Sequence, residues 1–98
     1  MPLNDTQLAL RWALTTAGVY DHLADVIVKS HKTRRIIEAY AYALATFARK
    51  PSAIAVKCLM GNYEWHPPGE EFNQRAIAML GLEDNAMVTS LFPKEKQA

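Results

Sequence analysis

Cysteine is nearly missing from this 98-residue sequence, and the single residue present, Cys58, has no partner for an internal disulfide. Cys58 sits in an apolar run, which reads as a packed thiol in a reducing compartment. Histidine is scarce too. His22, His31 and His66 never pair with one another at i+3 or i+4, and Asp25, three residues after His22, could at most place two ligands together. That is too few ligands for a closed metal site, so neither a metal nor another cofactor is expected. The four glycines, Gly18, Gly61, Gly69 and Gly81, fall at helix ends or turns, and none builds a phosphate-cradling loop. There is no G-x-S-x-G and no H-E-x-x-H, and the adjacent Glu70-Glu71 would point about 100° apart on a helix. A nucleophile with its base and orienting group is not evident in the spacing, so a non-catalytic protein is expected. No apolar run approaches the ~18 residues of a membrane span. Met1-Pro2-Leu3-Asn4-Asp5 lacks the charged and apolar regions of a signal peptide, so the expected location is the cytoplasm.

What the sequence does contain is apolar residues at helical spacing. Half the residues are hydrophobic, alanine prominent among them, which suits close-packed helices better than a sheet. Asn4 and Asp5 can cap a helix running to about Ala17 and ended by Gly18, with Leu10, Leu14 and Ala17 on one face and Leu8 and Trp12 as a neighbouring pair. A second helix starts near Tyr20 or Asp21, turns Leu23, Val26 and Ile27 inward, and stops around Ser30 or His31. Thr33 caps the clearest element, Arg34 to about Arg49, whose stripe is Ile37, Tyr40, Ala41, Leu44, Phe47 and Ala48. Arg49 and Lys50 suit its negative end and Pro51 stops it. Ser52 can cap a short helix from Ala53 to Met60. Gly69-Glu70-Glu71 opens the next, with Phe72, Ala76, Met79 and Leu80 inward and Gly81 at its end. Asp84 caps a last short helix through Met87, Val88 and Leu91, stopped by Pro93. The expectation is all-α: one compact bundle of five or six short helices over residues 1–93, with a Pro-rich loop and a charged tail over 94–98. Ile37, Tyr40, Leu44 and Phe47 are its expected core.

Charge is unevenly spread. Net charge is +1, yet Lys29, Lys32, Arg34, Arg35, Arg49, Lys50 and Lys57 face one acid, Glu38, between residues 29 and 57. That segment is +6 and the remainder −5. Such a division suits a positive face that meets nucleic acid or an acidic partner, and it equally suits a solvated helix junction. Lys29, Lys32, Arg34 and Arg35 fall where the third helix opens, and Arg49 and Lys50 can extend the patch to contact phosphates. The bend at Arg49-Lys50-Pro51-Ser52 makes a poor helix-turn-helix, because the segment after it, Ile54 to Met60, offers little to read base edges.

Between two helical stretches lies Gly61-Asn62-Tyr63-Glu64-Trp65-His66-Pro67-Pro68-Gly69. Proline fixes φ and removes the N–H, so neither a helix nor a central strand runs through Pro67-Pro68, and His66 is pushed out of the helical region. Two readings stand. Tyr63 and Trp65 fold back as a lid on the core, or Tyr63, Trp65 and His66 are presented to a partner with Pro67 and Pro68 setting their direction. Trp and Tyr are frequent interface anchors, and a pre-ordered loop loses less entropy on binding. The two X-Pro bonds also make the loop a candidate substrate for a prolyl isomerase.

A short helical chain carrying Trp65-His66-Pro67-Pro68-Gly69 resembles the accessory-to-recombination, anti-RecBCD proteins of lambdoid phages. The resemblance covers overall length, helical character and the segment from Tyr63 to Gly69. It implies a small phage protein that binds the host RecBCD helicase-nuclease and modifies its nuclease activity. It also implies a host prolyl isomerase acting around Pro67 or Pro68.

Overall fold

Asn4 opens the first helix by a reciprocal cap. Its side-chain oxygen accepts from the Gln7 N–H at 2.8 Å, while the Gln7 side-chain oxygen accepts from the Asn4 N–H at 2.9 Å. The computed structural model describes residues 2–47 and 68–93. Five α-helices fall within them, with no strand among the described residues: α1 (Asp5–Thr16), α2 (Asp21–Ser30), α3 (Thr33–Phe47), α4 (Glu70–Leu80) and α5 (Ala86–Leu91). The all-α expectation holds. The expected helix from Ala53 to Met60, Ala48, the Phe47 side chain and the tail over 94–98 lie outside what is described.

Two helix ends share one device. At α4, Gly81 takes φ +71°, its N–H donates to the Ala78 carbonyl at 3.1 Å, and the Leu82 N–H donates to Ile77 at 3.0 Å. At α1, Gly18 takes φ +110°, donating to Thr15 while Val19 donates to Leu14. Both are left-handed caps with paired bonds back into the last turn, a conformation that carries a steric penalty for any residue with a Cβ. Each cap also tucks an apolar residue, Leu82 or Val19, against the last buried turn.

The third helix is the centre. Ile36, Ile37, Ala39, Tyr40, Ala41 and Ala43 are all buried, an arc of about 200° at 100° per residue, so α3 is covered on more than half its circumference. It packs most extensively on α4 and also meets α1, α2 and α5. Alanines at 39, 41 and 43 allow close approach on several sides. One continuous apolar core draws on every helix: Leu10 and Leu14 from α1, Ile27 and Val28 from α2, Ile77 and Leu80 from α4, Val88 from α5. Each fully buried side chain of this size contributes roughly 1.5–3 kcal/mol against exposure.

Several expected placements need correction. Val26 is exposed, because the buried arc of α2 is Ala24, Ile27 and Val28, and Val26 lies about half a turn away. Met79 is exposed as well: α4 turns Ala76, Leu80 and Ile77 inward, and Met79 lies about 60° beyond the Ala76 edge of that arc, on the side away from Ile77. Leu44 is half-buried rather than core, whereas Ile37 and Tyr40 are core. Thr33 is the first helical residue rather than the cap, since Ile36 N–H bonds the Lys32 carbonyl at 3.1 Å. Asn85, not Asp84, caps α5, its side-chain oxygen accepting from Val88 N–H at 3.1 Å. Among the described residues, no helix is long and apolar enough to cross a membrane.

Candidate functional site

The basic run Lys29-Ser30-His31-Lys32-Thr33-Arg34-Arg35 is the corner between α2 and α3. After Ser30 the chain is extended at His31, with φ −125° and ψ 150°, before α3 begins at Thr33. Two other elements are tied to this corner. Gln7, already part of the α1 cap, donates its side-chain N–H to the Val28 carbonyl at 3.0 Å and so holds the start of α1 against the last turn of α2. Arg34 does the same for the end of α5: its Nη1 donates to the Leu91 carbonyl at 3.1 Å, and its guanidinium lies 4.9 Å from the centre of the Phe92 ring. Gln74 of α4 completes the strap by donating to the Phe92 carbonyl at 3.2 Å.

Between these tethers is an open cleft of about 450 Å³, lined by Asn4 and Gln7 from α1, Lys32 and Arg34 from the corner, and Met87 and Leu91 from α5. Met87 is 49% exposed, a large apolar side chain at a cationic rim. His31 lines the same cleft, and its Nδ1 is buried with no hydrogen-bond partner among the described residues.

The cations of this corner are not equivalent. Lys29 pairs with Asp25 at 2.8 Å, and Arg11 reaches the same carboxylate from α1 at 3.5 Å. The hydrogen bond from Lys29, chiefly, with the nearby charges of Lys29 and Arg11, holds the Asp25 carboxyl below its usual range despite some desolvation acting the other way. Arg34 pairs with Glu38 at 3.3 Å in addition to its bond to Leu91. Lys32 and Arg35 are exposed on either side of it. The expected phosphate-binding residues Lys29, Lys32, Arg34 and Arg35 are therefore brought to one corner, but Lys29, Arg34 and Arg35 are engaged within the chain. Asp25 is committed to Arg11 and Lys29, and His22 stacks with Tyr20 at 6.1 Å between ring centres. No group of three metal-ligating side chains occurs among the described residues.

A second surface was not anticipated as a site. Trp12 is 69% exposed on α1, Leu8 one turn earlier is exposed with it, and Met79 faces the same shallow groove of about 190 Å³ as Trp12. The signal was present in the spacing, since Trp12 is about 200° around α1 from Leu10 and cannot share its buried face. Tyr20 is exposed as well, at 72%. Of the aromatic-proline loop, only Pro68 is described, half-buried two residues before α4. Tyr63, Trp65, His66 and Pro67 lie outside the described residues, as do Arg49, Lys50, Lys57 and Cys58.

Fold and site thus define a small all-α protein with a cationic corner cleft and an exposed tryptophan face. No family model, curated protein or solved structure matches the chain.

Proposed function

We propose that the protein works by binding another protein, without catalysing a reaction, and that its partner is a host enzyme in the cytoplasm of a phage-infected cell. The observation that carries this reading is the exposed Trp12 with Leu8 and Met79 beside it. A tryptophan left in water beside other exposed apolar side chains is the kind of residue that anchors an interface. The loop residues Tyr63, Trp65, His66, Pro67 and Pro68 add a further recognition segment from the sequence. The resemblance to the lambdoid-phage anti-RecBCD proteins supplies the partner, the RecBCD helicase-nuclease, with a host prolyl isomerase acting at Pro67 or Pro68.

Immobilised protein should retain purified RecBCD. Trp65→Ala and Trp12→Ala should each weaken that binding by about 2 kcal/mol, roughly thirtyfold in Kd, with little change in Tm. Failure of the wild-type protein to retain RecBCD, or full retention by both variants, refutes the reading.

A second reading is a small nucleic-acid-binding regulator using Lys29, Lys32, Arg34 and Arg35, extended by Arg49 and Lys50. It is favoured by the convergence of the first four at one corner. Its mark would be DNA affinity that falls steeply with salt and is lost in Lys32→Ala with Arg35→Ala.

A further inference from the structure

We propose that the cleft at the α2–α3 corner is a docking site for an acidic segment of a partner protein that carries one apolar anchor. The inference rests on the protein-binding reading and adds a surface and a chemistry to it.

Two properties of the cleft coincide. Its rim is cationic: Lys32 and Arg34 line it, Lys29 and Arg35 stand beside it in the chain, and no acid occurs between Asp25 and Glu38. Its wall toward α5 is apolar: Leu91 is half-buried and Met87 is 49% exposed. Methionine is unbranched and polarisable, so it moulds to differing apolar side chains and recurs on surfaces that grip peptides. Arg34 keeps guanidinium donors beyond the two it gives to Glu38 and Leu91, and a carboxylate can pair with them without breaking the strap. The volume of about 450 Å³ suits a large side chain with its flanking backbone.

The same features weigh against a nucleic-acid strand as occupant. A phosphodiester chain has cations to meet here but gains little from Met87 and Leu91. An acidic peptide with one apolar residue uses both halves of the cleft.

Fluorescence anisotropy with a labelled peptide, Glu-Asp-Glu-Leu-Glu-Asp-Glu, tests this on the full chain. Binding at low salt is expected to weaken at least about fivefold on replacing the peptide leucine by serine, on Lys32→Glu, and on Met87→Ser. Lys32 and Met87 are exposed, so both variants should fold, as circular dichroism would verify. Arg75→Glu, a charge reversal on α4 outside the cleft lining, should leave binding as it was. Three results each overturn the proposal: no binding by the wild-type protein, binding indifferent to Lys32→Glu or to Met87→Ser, or tighter binding of an oligo-thymidine strand that needs Lys32 and ignores Met87. If RecBCD is retained while the peptide fails, the cleft proposal falls and the protein-binding reading stands; peptide binding without RecBCD retention keeps the cleft and removes RecBCD as the partner.

Discussion

Tyr40→Phe should stabilise this protein, although Tyr40 sits at the centre of its core. The side chain is 1% exposed, and its hydroxyl is buried with no hydrogen-bond partner among the described residues. A hydroxyl taken from water without a compensating bond costs about 1–3 kcal/mol in protein cores. Removing the oxygen relieves that cost and leaves the ring, with nearly all its packing. The void left is one atom in size and, at about 24 cal/mol per Å³, costs a few tenths of a kcal/mol. The net expectation is a gain of about 1 kcal/mol, or roughly 4–8 °C in Tm for a domain of this length. Burial also pushes the Tyr40 phenol up to about 12 from 10.0. Full stability is therefore kept below the unfolded value and is lost as pH climbs from there towards the folded one. The slope is about 1.4 kcal/mol per pH unit, because the unfolded chain releases a proton that the folded chain still holds. Urea denaturation at neutral pH, with phenolate absorbance followed through an alkaline titration, reads both effects. The late-titrating tyrosine should vanish in the variant, and the alkaline loss of stability should shrink with it. A variant destabilised by more than about 0.5 kcal/mol would refute the reasoning, since it would mean the hydroxyl makes a bond worth keeping.

Two further outcomes follow from caps and ion pairs. Gly81→Ala should cost about 1–2 kcal/mol in urea denaturation, because φ is +71° while the space around a new Cβ is open, so the penalty is backbone strain alone; a neutral substitution would show the α4 end relaxing to another cap. Asp25→Asn should lower Tm at neutral pH. Because the Asp25 carboxyl is held below its usual range, its contribution is present above the unfolded value and is lost as pH falls through the folded one. The gap between variant and wild type should therefore close in acid, and a gap that persists there would mean Asp25 acts by something other than its charge.

How much of this was legible in the sequence varies by the physics involved. The helix ends at Asn4, Gly18 and Gly81 were legible, because these residues act through local stereochemistry that needs no neighbour, whereas the caps expected at Thr33 and Asp84 each fell one residue off. The central stripe of α3 was legible because Ile37, Tyr40 and Ala41 repeat at helical spacing. Val26 and Met79 were misplaced because α2 and α4 carry apolar residues around more of their circumference than the core can cover. Only the neighbouring helices decide which arc is inside. That surplus is informative in itself, since Trp12, Met79 and Met87 are exposed where burial was available to other residues of the same helices.

The basic corner shows a different limit. Between Lys29 and Arg35 the sequence offers four cations of equal formal charge, and charge counting treats them alike. In the fold, Lys29 is half of a pair with Asp25, and Arg34 binds Glu38, the Leu91 carbonyl and the Phe92 ring, so it fastens α5 to α3. An alanine at 34 would thus disturb α5 and the cleft wall together, and any binding lost would not report on charge. Lys32, exposed at the rim, is the position where charge can be altered with the least effect on packing. A run of basic residues becomes a site only after the cations spent on holding the fold are set apart from those that can reach a partner, and here that separation follows from the distances around Arg34.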